Sequence, residues 1–172
     1  MKYLIASDLH GSSYYVSKLE ERIRLENPDN IILLGDLLYH GPRNYLPEEY
    51  DTMKVIDILN KYKDSIIAVR GNCDAEVDQM VLEFPIMDDY KILEVDGLKL
   101  YLTHGHINDK VPYQDGILVH GHTHVYELST SYINPGSISL PKIHEEHTYI
   151  IYENKCFQLY DIEGKILKKI QF

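Results

Sequence analysis

Metal-capable side chains recur where apolar runs of this sequence end. Leu4–Ser7 leads to Asp8 and His10, Ile31–Gly35 to Asp36, and Ile66–Gly71 to Asn72. Lys99–Thr103 leads to His104, and Ile117–Gly121 to His122 and His124. Taken singly, an Asp or Asn after a strand is usually a turn former or a helix cap, and a lone His is usually not a ligand. Five such placements, with four histidines beside or near glycines, point instead to one shared metal site. Two carboxylates, an amide and four imidazoles are more than a tetrahedral zinc site needs. They fit two adjacent cations, one carboxylate bridging and both ions keeping open positions. Oxygen and nitrogen donors without an obligatory thiolate suit Mn²⁺, Zn²⁺ or Fe. Two divalent ions against two Asp charges leave the site roughly two units positive, which attracts a phosphate anion.

Such a site needs elements that deliver all five ends to one edge. The pattern predicts strands over 2–7, 30–35 and 65–71, with near-continuous apolar character. Between them lie a helix from about Ser12, with Val16, Leu19 and Ile23 on one face, and a helix opened by Asp51-Thr52 with Val55, Ile56, Leu59 and Tyr62 in a stripe. Strands of this kind separated by helices imply a mostly parallel sheet, and ligands bind beyond the carboxyl ends of such strands. Asp8/His10 and His122/His124 are spaced by two, which puts each pair on one side of an extended segment. The second half predicts a hairpin turning at Asp96-Gly97, a short buried strand over 116–121, and from about 126 an antiparallel meander with turns near Glu153-Asn154 and Glu163-Gly164. Two sheets packed face to face with helices outside would bury all these strands in a single domain over 1–172.

The 172 residues suffice for a core without staples, and 44% hydrophobic with 26% charged residues is ordinary for a globular protein. The net charge of −10 and the lack of a Lys/Arg run argue against tight duplex nucleic-acid binding. Apolar runs are too short for a bilayer span, and no leader or anchor pattern is present, so no membrane partner is expected. Cysteines at 73 and 156 make no disulfide framework, which implies a reducing, cytoplasmic setting. Fifteen tyrosines without a tryptophan are expected mostly at half-buried positions.

The motifs "DLH" at 8–10, "GDLL" at 35–38, "GNCD" at 71–74, "HGH" at 104–106 and "GHTH" at 121–124 resemble, in order and spacing, those of the calcineurin-like metallophosphoesterases. "LYHGPRN" (38–44), "AEVDQM" (75–80) and "INPGSISLPK" (133–142) resemble more narrowly the bacterial YfcE-type phosphodiesterases, small single-domain members of that family. The resemblance implies an α/β fold of the two-sheet αββα sandwich type. It implies that Asp8, His10 and His124 hold a first metal and that Asn72, His104 and His122 hold a second, with Asp36 bridging. His106 and His120 match no family ligand and read as supporting groups.

The activity implied is a metal-dependent phosphoric diester hydrolase acting on small phosphodiesters. A hydroxide activated by two divalent ions about 4 Å apart attacks in line, and the metals, Mn²⁺ foremost with Zn²⁺, Fe or Ni²⁺ as alternatives, neutralise the growing charge. Asp36, Asn72 and Cys73 are the catalytic candidates. Where the wider family carries a His that helps protonate the leaving group, this chain has Cys73. A thiol, with a reference pKa of about 8.5 and neighbouring cations favouring its thiolate, is the poorer general acid near neutrality. That predicts a preference for leaving groups that depart unaided, such as those of aryl diesters; a small residue that merely fits is the rival reading. His40 and Arg43 are candidates for substrate contact, a guanidinium being able to fork onto phosphate oxygens, with a surface salt bridge the rival for Arg43. Asp74 is expected to cap the following turn or helix. A phosphomonoesterase or nuclease on the same site, or a non-catalytic scaffold, are the alternative functions. The tyrosine-rich C-terminal strands leave a homo-oligomer open.

Overall fold

The computed structural model describes residues 1–172. Its first sheet begins with β1 (Lys2–Ala6), β2 (Asn30–Leu33) and β3 (Ile66–Ala68), paired in parallel, with helices α1 (Ser13–Glu26) and α2 (Thr52–Asn60) as crossovers. Each helix starts on a side-chain cap: Ser12 accepts from the Tyr15 amide and Asp51 from the Lys54 amide, satisfying donors the first turn leaves free. A one-turn helix, α3 (Glu76–Gln79), follows β3.

β4 (Tyr90–Val95) and β5 (Leu98–Thr103) form the expected hairpin, with Asp96 and Gly97 both at positive φ, as a tight two-residue turn requires. β6 (Ile117–Val119) pairs in parallel with β5. The expected meander divides between the sheets. β7 (Glu127–Leu128) and β8 (Tyr132–Asn134) stay in the second sheet, with order β4-β5-β6-β8-β7 and β8 parallel to β6. Only β9 (Thr148–Glu153), β10 (Cys156–Asp161) and β11 (Ile166–Gln171) run as a meander, and they extend the first sheet to the order β11-β10-β9-β1-β2-β3. The division follows from strand pairing. The Leu118 and His120 amides donate to Ser131 and Ile133 carbonyls, which zips β8 onto β6 before the chain crosses over.

Two apolar layers result. One lies between the first sheet and α1/α2 and includes Leu4, Leu33, Val16 and Val55; the other lies between the sheets and includes Ile5, Ile32, Leu102 and Val119. Opposite faces of β1 serve the two layers, since Leu4 and Ile5 alternate. The outer face of the second sheet carries no α-helix: Tyr101 and Leu118 are covered by Val111 and Tyr113 around a 3₁₀ turn at Asn108–Lys110. Tyrosines do not settle at half-buried positions as a class. Tyr3, Tyr101, Tyr149 and Tyr152 are buried, whereas Tyr39, Tyr45, Tyr50, Tyr90 and Tyr132 are exposed.

Candidate metal centre

The ends of β1, β2, β3, β5 and β6 open on one side of the molecule. Beyond them the loops continue to pair: the Asp8 amide donates to Gly35, His10 to Asp36 and Gly11 to Leu37. These segments are not extended strand. Asp8, His10, Asp36, His122 and His124 all have positive φ, between 47° and 67°. The spacing of two therefore works through left-handed turns rather than through the pleat. Each such residue costs of order 1–3 kcal/mol of strain, sustained only where surrounding bonds over-determine it.

Those bonds are present. Buried Asp74 accepts three amides, from Asp36 (2.9 Å), Leu37 (2.8 Å) and Gly71 (2.7 Å), so it ties the β3 loop to the β2 loop. It does not cap the following helix; Asp78 does, through the Ala75 amide. Burial pushes the Asp74 carboxyl upward, and its three amide donors work against that. Gly71 is required by contact: a Cβ there would lie 2.1 Å from Asp36 Oδ1. Gly121 is required for the same reason, its Cβ falling 1.9 Å from Ser7 Oγ.

Around Asp8 the support comes from several directions. Ser7 Oγ and the His122 amide both donate to Oδ2, at 2.6 and 3.0 Å. Ser137 and Ser139 hydroxyls donate to the Asp8 carbonyl at 2.8 and 3.0 Å. Asn134 donates to the Gly121 carbonyl and to Thr123 Oγ1, steadying the turn that bears His122 and His124. The other carboxylate oxygen of Asp8, Oδ1, is buried and has no hydrogen-bond partner.

That orphan oxygen faces lone pairs. His10 Nδ1 bonds the Tyr39 carbonyl (2.8 Å), His104 Nδ1 that of Leu34 (2.6 Å) and His124 Nδ1 that of Leu140 (2.6 Å). A carbonyl only accepts, so each Nδ1 carries a proton, and in the neutral ring Nε2 is an unprotonated donor atom for a metal. These Nε2 atoms converge: His124 lies 3.2 Å and His10 3.7 Å from Asp8 Oδ1, and the two rings' Nε2 atoms are 3.3 Å apart. Ligand atoms gathered around one ion at about 2.1 Å would stand at such spacings. Asp8, His10 and His124 thus form one triad. On the other side, His104 Nε2 is 3.1 Å from Asn72 Oδ1 and 3.2 Å from His122 Nδ1. Between the groups sits Asp36. Its Oδ1 accepts the Cys73 amide at 2.8 Å, while Oδ2 lies 3.7 Å from His10 and 3.4 Å from His104. The donor set fits two cations. Asp8, His10, Asp36, His104 and His124 are buried, whereas His122 is half-buried and Asn72 is exposed, so the centre opens on the Asn72 side.

Electrostatics in the metal-free protein match the same reading. Burial disfavours an ionised Asp8, but the surrounding imidazoles of His10, His124 and His104 hold its carboxyl well below the usual range. Burial likewise opposes charge on His104, yet Asp36 and Asp8 lift it to about 9. His122 and His106 are lowered, by burial first and then by His104. Cys73 shifts upward in the metal-free protein. Burial, with the carboxylates of Asp36, Asp74 and Asp8 around it, pushes it up to about 12, so without cations it is a thiol.

A cavity of about 400 Å³ opens over the centre. Arg43, Asn44, Thr123 and Lys142 line it together with Asn72, Cys73 and His122. Arg43 and Lys142 have no carboxylate within ion-pairing distance, unlike most of the chain's lysines and arginines. His40 is not brought to this cavity. Its ring packs edge-on against Tyr39 and Tyr50, and its backbone carbonyl holds the Asn44 amide. His120 is tied to Gly121 and Asn134, while His106 packs on His104 beside a second opening with Arg70 and Lys110. Sequence reasoning did not single out Ser7, Asn134, Ser137, Ser139 or Lys142. The last four lie in the 133–142 stretch whose resemblance to relatives was the available signal.

Residues 1–155 match the sequence profile of the calcineurin-like phosphoesterase superfamily domain. The chain is 41% identical to phosphodiesterase YfcE of Escherichia coli over 162 residues, 90% of this chain and 88% of that protein. It is 30% identical to phosphodiesterase MJ0936 of Methanocaldococcus jannaschii, over 79% and 83% of the two chains. The solved structure of the E. coli YfcE phosphoesterase superposes with a TM-score of 0.92 at 37% identity, covering 99% of this chain and 98% of that one.

Proposed function

The chain belongs to the calcineurin-like phosphoesterase superfamily, and on that premise we propose that it is a metal-dependent phosphodiesterase acting on small phosphodiesters. The observation that carries the proposal is the convergence of the His10 and His124 Nε2 atoms on the unpartnered Asp8 Oδ1, with Asp36 Oδ2 between the two ligand groups. We assign Asp8, His10 and His124 to one ion, Asn72, His104 and His122 to the other, and Asp36 to both. Two divalent cations there, when bound, supply Lewis acidity and lower the pKa of a water. The donor set of oxygens and imidazoles supports Mn²⁺, with Zn²⁺, Fe or Ni²⁺ accommodated by the same atoms. The full ligand set also supports an enzyme over a scaffold.

The chain's own residues provide the rest. Asn72, on the exposed side of the centre, orients the incoming phosphate. Arg43 and Lys142, which line the cavity without an ion-pair partner, hold its non-bridging oxygens by charge-assisted hydrogen bonds. Cys73, a half-buried thiol beside Asp36, is a weak proton donor, so leaving groups that depart as stable anions are favoured. We read residues 1–172 as one unit, because β10 and β11, beyond residue 155, complete the first sheet, and the two free cysteines support a reducing cytoplasm.

A phosphoester panel on metal-stripped protein, re-supplied with one cation at a time, tests this reading. Diester hydrolysis should appear with Mn²⁺, and Cys73→His should gain more on esters with poor leaving groups than Cys73→Ala does. No metal-dependent hydrolysis of any diester would overturn it.

A further inference from the structure

Beside the metal cavity runs a second hollow, also of about 400 Å³, of opposite chemical character. Leu38, Ile56 and Ala75 line it together with Tyr39, Tyr50, Val77 and Val81, and no cation does. Cys73 lines both hollows, so the apolar groove borders the metal cavity at that one side chain. Tyr39 is 43%, Val77 63% and Val81 41% exposed, so the groove presents large apolar side chains to water beside a polar site. The cationic residues are segregated: Arg43 and Lys142 line only the metal cavity.

We propose that this groove is the subsite for an aromatic ester arm of the substrate phosphodiester. The inference rests on the phosphodiesterase reading and names its substrate class. A phosphate anchored at the metals places one ester arm beside Cys73, where the polar cavity gives way to apolar surface. Burying a flat arm there removes water from both partners. The rings of Tyr39 and Tyr50 add aromatic contact that an alkyl arm cannot reproduce. Thr52 and Asp78 are the polar residues of the groove.

The test reads binding alone, free of leaving-group acidity. Phenylphosphonate and methylphosphonate are titrated calorimetrically into the manganese-loaded protein and into a Val77→Asp/Val81→Asp variant, whose altered side chains are exposed. The phenyl compound should bind about tenfold more tightly to the wild type, the factor expected for burying part of a ring. The variant, at unchanged manganese content and melting temperature, should bring the ratio near one. Equal binding of the two phosphonates by the wild type, failure of both to bind, or an unchanged ratio in the variant would overturn the proposal. So would a changed sedimentation coefficient in the variant, which would identify the groove as a contact between copies. Absence of diester hydrolysis alongside the expected ratio would fault the catalytic reading and leave the groove assignment standing.

Discussion

His104 shows how far one side chain's chemistry depends on its neighbours. Its Nδ1 proton is committed to the Leu34 carbonyl, and Asp36 and Asp8 draw a second proton onto Nε2 despite burial. In the metal-free protein that nitrogen is therefore protonated below about pH 9. A metal must displace this proton, because an imidazolium offers no lone pair. The sign follows: below pH 9 affinity rises with pH, about tenfold per unit for this one proton, and the rise stops above it. Manganese titrations of apo-protein at pH 7, run in two buffers of different ionisation enthalpy, should show proton release. Identical heats in both buffers would contradict the assignment of His104 as a ligand. Residue identity made His104 a candidate from the sequence. Its tautomer and its charge arise from Leu34, Asp36 and Asp8, which come from the loops after β2 and β1.

Among the elements, the loops after β2 and β3 depend on each other through Asp74. Its two oxygens accept three amides, all at 2.9 Å or less, and Gly71 leaves room for the loops to meet. An asparagine keeps one oxygen and turns an NH₂ toward an amide donor, so at least one buried N–H loses its partner. Asp74→Asn should cost about 1–3 kcal/mol of stability, measured by urea unfolding. Manganese affinity should fall by about 10–100-fold, as expected when a ligand's support is removed. Unchanged affinity would mean that the left-handed turn at Asp36 holds without Asp74. Ser137 and Ser139 do for Asp8 what Asp74 does for Asp36, from a segment more than a hundred residues away in sequence. The apolar runs made the strands visible, but not where those strands stop. β2 ends at Leu33, short of the Gly35 that ends its apolar run, because Gly35 and Asp36 turn left-handed to present the ligand. Likewise alternation alone could not assign β7 and β8 to a sheet, since pairing with β6 is a long-range choice.

Over the whole molecule, stability and metal binding are expected to be linked but separable. The two apolar layers reach the centre only at a few residues such as Leu9, Leu34 and Leu37, and should hold the fold without ions. The centre itself gathers buried carboxylates on left-handed backbone, and ions would partner the orphaned Asp8 Oδ1. Saturating Mn²⁺ at about 100 times its Kd should add about 2.7 kcal/mol by mass action, seen as a raised melting temperature. Chelation should abolish activity while the far-ultraviolet circular dichroism is retained; loss of that signal would show that the ions are part of the fold's core. The sequence by itself determined the donor types, their order along the chain and the apolar runs that carry them. Those follow from residue chemistry and local periodicity, which are properties of short segments. Only the tertiary structure decided which carbonyl fixes each imidazole, that Asp74 binds backward to β2, and that Lys142 rather than His40 faces the cavity. It also set the apolar groove against Cys73. These are contacts between segments far apart in sequence, settled by how two sheets pack, and no local pattern encodes them.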